Sequence, residues 1–391
     1  MSLESAAMPI RARAPLLVVL LLTACSAAPS GSAIQSAEAS SAAESTAPSA
    51  APSVFVSSWQ PTGLGFDDSG NLLVTDCQGG RLYRLDASGR ATVIAGSGVS
   101  SPAGGLSGEG VPALEADIHC PADATGDGHG DVVVVDHANN RIRSIDPSGI
   151  ITTIIGSGPI GTGKDDGDLA GDAGPALAAT LQEPWGIFFD AQGNLYFADR
   201  DNHAVRRVDL RGVITTIAGS GNRGFSGDGG SALAADLSRP QSVVTDPDAN
   251  VYFSDSDNHV IRRVDADGII TTVAGTGTGG FSGYGGPAAE ATLADPNGIV
   301  LDADGNLFFI DDELSMVRRV DRNGTITTVA GAGGAGFSGD GGPAEAAQLS
   351  SPLDLIFDAD GNLYIADGGN HRVRVVRPDG TIETFSTGVP A

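Results

Sequence analysis

One short segment returns along this chain at a fixed interval, and that interval limits the fold more than any other feature. Pro184-Trp185-Gly186-Ile187 recurs as Pro240-Gln241-Ser242-Val243, Pro296-Asn297-Gly298-Ile299 and Pro352-Leu353-Asp354-Leu355, 56 residues apart each time. Earlier copies begin at Pro61 and Pro121, which makes six. A fixed period marks a repeat architecture, in which one unit cannot bury its apolar face alone and neighbours must stack. Within the copy from Pro184, the apolar run from Gly186 to Asp190 is followed by the turn Ala191-Gln192-Gly193. Three further β-rich runs follow: 194–199, 204–208 and 213–218. Gly, Asn and Asp separate them, so each copy reads as an antiparallel meander. The composition agrees, with 56 glycines and only 5% aromatic residues. The expected fold is all-β: a six-bladed β-propeller of four-stranded antiparallel blades over residues 54–391.

The third run opens on a motif. Asn202-His203-Ala204-Val205-Arg206, Asn258-His259-Val260-Ile261-Arg262 and Asn370-His371-Arg372-Val373-Arg374 resemble the NHL repeat. The resemblance covers about residues 54–388 and implies the same propeller. Two copies lack the Asn-His pair: Cys77-Gln78-Gly79-Gly80-Arg81 and Glu313-Leu314-Ser315-Met316-Val317. Between copies runs a glycine-rich connector, Gly224-Phe225-Ser226-Gly227-Asp228-Gly229-Gly230, repeated from Gly280 and Gly336. It is not a phosphate loop. It has no Gly-Lys-Ser/Thr, and it carries Asp228 and Asp340 where a phosphate needs the opposite sign. Its expected role is a buttress with its Phe plugged between blades. The ring closes either through Val54-Phe55-Val56, as a clasp strand beside Thr381-Ile382-Glu383-Thr384-Phe385, or without it.

Ahead of the repeats lies an address. Arg11 and Arg13 precede the apolar run 16–22, too short to span a bilayer. The run ends in Leu22-Thr23-Ala24-Cys25, which resembles the bacterial lipobox. That resemblance implies a signal peptide over 1–25, acylation of Cys25, and anchorage outside the cytoplasm on a bacterial cell membrane. The other reading is an ordinary secretory peptide with a chance Cys. Residues 26–53, rich in Ala, Ser and Pro, read as a flexible tether. The net charge is −26. A surface so acidic repels phosphate backbones, which excludes nucleic acid as a partner.

Candidate sites follow from departures and recurrences. Asp76, Asp136, Asp199, Asp255, Asp311 and Asp367 recur once per copy. Each is expected to accept N–H bonds from the turn that follows it. In the second copy the first strand is replaced by Asp123-Ala124-Thr125-Gly126-Asp127-Gly128-His129-Gly130-Asp131. Oxygens at positions 1, 3, 5 and 9 with Gly at 6 begin a Ca²⁺ loop. The stretch is similar to the FG-GAP calcium loop. That likeness implies Asp123, Thr125, Asp127, Asp131 and the His129 carbonyl as ligands of a structural Ca²⁺. An ordinary Asp-Gly turn in a degenerate repeat is the alternative. With Cys25 acylated, Cys77 and Cys120 remain in an oxidising compartment, on one face of adjacent blades. They form either a disulfide or two free thiols.

Residues after each repeated Pro and each repeated Asp differ between copies and belong at one end of the channel. Trp185, His137, Arg200, Gln241, Asn297 and Asp312 give that end a mixed aromatic and charged rim. Such a rim is what a ligand pocket looks like, and also what unselected loops look like. Neither a Ser-His-Asp set nor HExxH appears. The leading expectation is a monomeric, lipid-anchored binding or scaffold module for a protein, glycan or small ligand, without catalysis. The alternative is a lyase or lactonase-like enzyme with a channel metal, for which His137, Asp312, Asp123 and Asp354 are the available ligands.

Overall fold

The computed structural model describes residues 59–98, 108–157 and 168–388. Cys25, the tether and Val54–Val56 lie outside them. Six antiparallel sheets follow one another, spanning 61–95, 121–155, 184–218, 240–274, 296–330 and 352–386, here blades 1 to 6. Blade 3 is typical: Pro184–Phe189, Leu195–Asp199, Ala204–Val208 and Ile214–Ala218 pair in chain order. The first strands pack side by side, blade to blade, and the first strand of blade 1 meets that of blade 6. They line the axis and close the circle.

Local chemistry sets the meander. At the far end of each first strand a turn opened by Asp, Asp-x-x-Gly-Asn in four of the six blades, reverses the chain. Asp190 accepts the N–H groups of Gln192 at 2.9 Å and Asn194 at 2.8 Å. Gly193 takes φ +82°, a conformation that suits glycine. Blade 4 keeps the turn with Ala249 at φ +63°. The connectors run along the outer edge of the following blade. Val111–Pro112 pairs with Ile150–Ile155, and Gly342–Pro343 with Thr381–Ser386. The exposed edge strand is thereby covered, which blunts edge-to-edge association.

The core is divided among the seams. Six apolar clusters form, one between each pair of neighbouring blades. Phe253 sits in that of blades 3 and 4, and Phe309 in that of blades 4 and 5. Phe253 has no exposed surface, so Phe253→Ala costs roughly 3–5 kcal/mol. The cluster of blades 6 and 1 joins Leu64, Val74 and Tyr83 to Tyr364 and Val375. Across the same seam His371 Nδ1 lies 2.8 Å from the Trp59 carbonyl. The fourth strand of blade 6 is Thr381–Ser386, from the chain's own C-terminal segment. Among the described residues no N-terminal strand enters that sheet.

A buried ion pair staples blades 2 to 6, and here two expectations are corrected. The backbone N–H that the repeated aspartate accepts comes from the connector 17 residues before it; the turn after it supplies a side-chain N–H instead. His119, Gln182, Ser238, Ala294 and Ser350 donate to Asp136, Asp199, Asp255, Asp311 and Asp367. From the turn after it the aspartate takes the side-chain N–H of the motif Asn in blades 2, 3, 4 and 6, and only Asp76 takes a backbone one, from Gly79. The second carboxylate oxygen faces the arginine of the motif. Arg206 Nη1 stands 3.0 Å from Asp199 Oδ2, and Arg143, Arg262, Arg318 and Arg374 stand 3.4–3.6 Å from their partners. Burial raises these carboxyl pKa values, and the neighbouring Asn and Arg hold them back.

The connector carboxylate completes the staple: Asp228 pairs with Arg262 and Asp340 with Arg374, each at 2.6 Å. The connector Phe is no plug. Phe225, Phe281 and Phe337 are 44–49% exposed and lie flat against the arginines, 4.9–5.3 Å from ring centre to guanidinium. The arginine draws the ring outward because a guanidinium is attracted to an aromatic face.

Candidate functional site

The proline that opens each first strand pairs with the repeated aspartate that ends the second, as in Pro184 with Asp199. Both mark one end of the channel, here the mouth. Three kinds of side chain there tie neighbouring blades together. The residue after the aspartate reaches the next blade: His137 Nδ1 lies 3.1 Å from the Pro184 carbonyl, and Ser256 Oγ donates to the Pro296 carbonyl at 2.6 Å. In blade 1 the same position is Cys77, and its tie is covalent, a disulfide to Cys120. The second motif residue also crosses. Asn140 Oδ1 accepts Glu183 N–H at 2.8 Å, and His203 Nδ1 accepts Arg239 N–H at 3.3 Å. These residues hold φ of +50° to +57°, which Asn and His accept more readily than branched residues do.

The third tie lies inside the channel. At the second residue after Pro, blades 2, 4 and 6 carry Asp123, Ser242 and Asp354, and the alternate blades carry Gly63, Gly186 and Gly298. Asp123 Oδ2 accepts Ile187 N–H at 2.9 Å, Ser242 Oγ accepts Ile299 N–H at 3.1 Å, and Asp354 Oδ2 accepts Leu64 N–H at 2.8 Å. The glycines are sterically required. A Cβ on Gly63 would stand 2.3 Å from the Ala122 carbonyl oxygen. At this level these residues, with Trp185 and Leu353, line a cavity of only about 10 Å³. Burial pushes Asp354 up to about 7. It also raises Asp123, and the charge of Asp354 adds to the shift.

The five residues read as Ca²⁺ ligands are not gathered around one point. Asp123 and Thr125 belong to the regular first strand Pro121–Gly126. Asp123 spends one oxygen on Ile187 N–H and the other on its neighbour's, Ala124 N–H at 2.7 Å. Asp127 instead opens the blade's turn, accepting the N–H groups of His129 and Asp131 as Asp190 does in blade 3. Asp131 accepts from Ser144 Oγ at 2.7 Å. The Asp-Gly-turn reading describes this stretch. The set weighed for a channel metal also falls apart. His137 and Asp312 sit in blades 2 and 5, opposite each other in the ring, and Asp123 and Asp354 are tied to backbone.

Part of the rim does converge. His137 meets Trp185 edge to face, ring centres 4.8 Å apart, and Arg200 lies over the Trp185 ring at 5.6 Å. Glu183 completes the group: its carboxylate is 2.9 Å from Arg200 Nη1 and 3.9 Å from His137 Nε2. Burial drives the His137 pKa down to about 4, against its bond to Pro184, and Arg200 pushes the same way. The imidazole is therefore neutral and fixed. Trp185 is half-buried, with its face held by a cation and its edge by a ring. Arg239 joins from blade 4, 3.2 Å from Asp201. Gln241 is half-buried next to Trp185 in the order of the ring, whereas Asn297 and Asp312 lie in blade 5, away from the tryptophan.

Cys120 apart, sequence reasoning missed the residue before each proline. Glu183, Arg239 and Asp295 belong to the rim as much as the residues after it. Gln60, Cys120, Glu183, Arg239, Asp295 and Ser351 vary from copy to copy at one repeat position, the signal that identified the other rim positions. Four of them hold left-handed backbone, φ +40° to +52°. Each such residue costs on the order of 1 kcal/mol, and strain of this kind gathers at functional surfaces.

The sequence has relatives of known family. The Teneurin NHL domain matches residues 160–226, 222–282 and 277–335, and the NHL repeat matches 349–376. Human Teneurin-4 is 30% identical over a 295-residue alignment that covers 66% of this chain and 10% of that protein. Two solved structures share the architecture. An auxiliary nutrient binding protein from Bacteroides thetaiotaomicron has 16% identity and a TM-score of 0.56, covering 83% of this chain and 69% of its own. A streptogramin B lyase has 15% identity and a TM-score of 0.51, covering 86% of each.

Proposed function

Because this chain is an NHL-repeat six-bladed β-propeller, we propose that it is a binding module whose ligand docks at the mouth, on Trp185 and its neighbours. The observation that carries this reading is the group Trp185, His137, Arg200 and Glu183. It presents a half-buried aromatic face with charged groups of both signs fixed around it, the composition of a recognition site. The other tie positions are smaller or purely structural, as with Ser256 and the Cys77–Cys120 bridge. Membership of a fold that includes auxiliary nutrient binding proteins supports the same class of function. Part of the proposal concerns location. Cys25 is acylated, and residues 26–53 hold the propeller away from a bacterial membrane, where it meets a protein, glycan or small molecule.

The test is a binding screen of the purified protein against glycan and peptide arrays, repeated with Trp185→Ala. A hit should weaken by at least about tenfold, or ~1.4 kcal/mol, while the far-ultraviolet spectrum is unchanged. Hits that bind Trp185→Ala and parent alike refute the assignment of the face.

A further inference from the structure

Blade 5 keeps the Asp311–Arg318 pair but departs from the repeat at three other positions. Ser315 stands where His203, His259 and His371 cross the seam. Leu314 replaces the Asn that donates to the blade's aspartate in blades 2, 3, 4 and 6, at 2.8–3.0 Å. Tyr284 replaces the connector carboxylate that Asp228 and Asp340 supply.

What remains at this part of the mouth is a set of acceptors without donors. Asp295 and Asp312 are half-buried and Glu313 is exposed. None of the three carboxylates takes a hydrogen bond or an ion pair from a described Lys or Arg. Asp311 Oδ2, fully buried, has no hydrogen-bond donor, with Arg318 Nη1 no nearer than 3.6 Å. Asn297 is 4% exposed, and its Oδ1 is also without a partner. Asn297 holds the position at which Trp185 of blade 3 meets Arg200, and Asp312 holds that of Arg200. The orphan amide oxygen thus belongs beside the orphan carboxylate. Burial first, then the charges of Asp295, Glu313 and Asp311, pushes Asp312 up to about 7. Burial, then Asp257 and Glu313, pushes Asp295 to about 6.

Asp295, Asp312 and Glu313 have no cationic partner among the described Lys and Arg, and Asn297 Oδ1 has no donor. A buried acceptor left unpaired costs roughly 1–3 kcal/mol, more when charged. The cluster is not laid out for a metal ion. Among the described residues no three His, Cys, Asp or Glu side chains converge as a metal requires. An ammonium or guanidinium carries three to five N–H donors and reaches acceptors that lie farther apart. We infer that the blade-5 side of the mouth is a subsite for a cationic group bearing several N–H donors, a primary ammonium or guanidinium, on the ligand the mouth binds. This rests on the mouth being the binding face.

The experiment is a titration of the full-length protein at constant ionic strength with n-butylammonium and with methylguanidinium. Tetramethylammonium, of equal charge but without N–H, and CaCl₂ are run beside them. The two N–H cations should bind at least about tenfold more tightly than either control. The pair Asp295→Asn with Asp312→Asn should weaken them by a similar factor. That variant loses repulsion, so it should melt above the parent, and a folding defect cannot mimic the loss. Unchanged affinity in the Asn variant, equal binding of tetramethylammonium, or no binding of either N–H cation overturns the inference. Failure of the mouth itself is read separately, from array hits that ignore Trp185→Ala.

Discussion

Blade 1 lacks the staple of the other five, and the disulfide is what replaces it. Tyr83 stands where Arg206 stands in blade 3, and Gly79 where Asn202 stands. The Cys77–Cys120 bond ties the end of this blade to the start of the next. It joins residues 43 apart in sequence. Loop-closure entropy for that separation gives about 4 kcal/mol of stabilisation. Unfolding entropy for a folded unit of roughly 300 residues is about 0.65 kcal/mol per degree, so the Tm should fall by about 6 °C when the bond is absent. The perturbation is the double substitution Cys77→Ser with Cys120→Ser, since a single one leaves a thiol free to mispair. Melting of parent and variant is followed with and without a phosphine reductant. Parent plus reductant should match the variant, and the variant should not respond. Hydrogen exchange should quicken first in 61–95. A variant that melts within a degree of the oxidised parent would refute the claim that this bond does the work of the missing staple.

Three other outcomes follow. Arg206→Met removes the partner of Asp199 and leaves a buried carboxylate, a loss of about 3–5 kcal/mol by chemical denaturation at pH 8. The loss shrinks near pH 5, because Asp199, raised to about 6, is then protonated. Leu314→Asn restores a donor to Asp311 Oδ2, and a net gain of about 1 kcal/mol is expected in the same assay once the lost apolar contact is subtracted. Stability should also rise as pH falls from about 7 to about 4. Asp354 and Asp312 at about 7, and Asp295 at about 6, bind protons more tightly folded than unfolded. His137, lowered to about 4, opposes them alone among these four. Thermal melts across that range, flattened by Asp312→Asn, would check the sign.

The architecture was legible because a 56-residue period, a turn every few residues and apolar alternation all report local backbone. The NHL-like motif added the fold, and its Asn and Arg proved to be parts of one buried staple. The ties between blades were not legible in the same way. His137 meets a carbonyl 47 residues on, and Asp123 an N–H 64 residues on. Such partners are set by ring geometry rather than by spacing. For the same reason Asp123-Ala124-Thr125-Gly126-Asp127 imitated a Ca²⁺ loop. The oxygens have the right order in sequence, but a strand sends Asp123 to the channel while Asp127 opens the turn at the far end. Blade 5 escaped notice for a different cause. Losing Asn and His looks like simple degeneration until the carboxylates they leave undonated are seen together.

The claim that the mouth is the recognition surface is tested most directly by hydrogen exchange on the protein with and without an array-identified ligand. Slower exchange is predicted at 137–140, 183–187 and 295–299, with no change in the Asp-x-x-Gly-Asn turns at 190–194 and 302–306. Slowing confined to those turns would place the ligand on the opposite face and contradict the account.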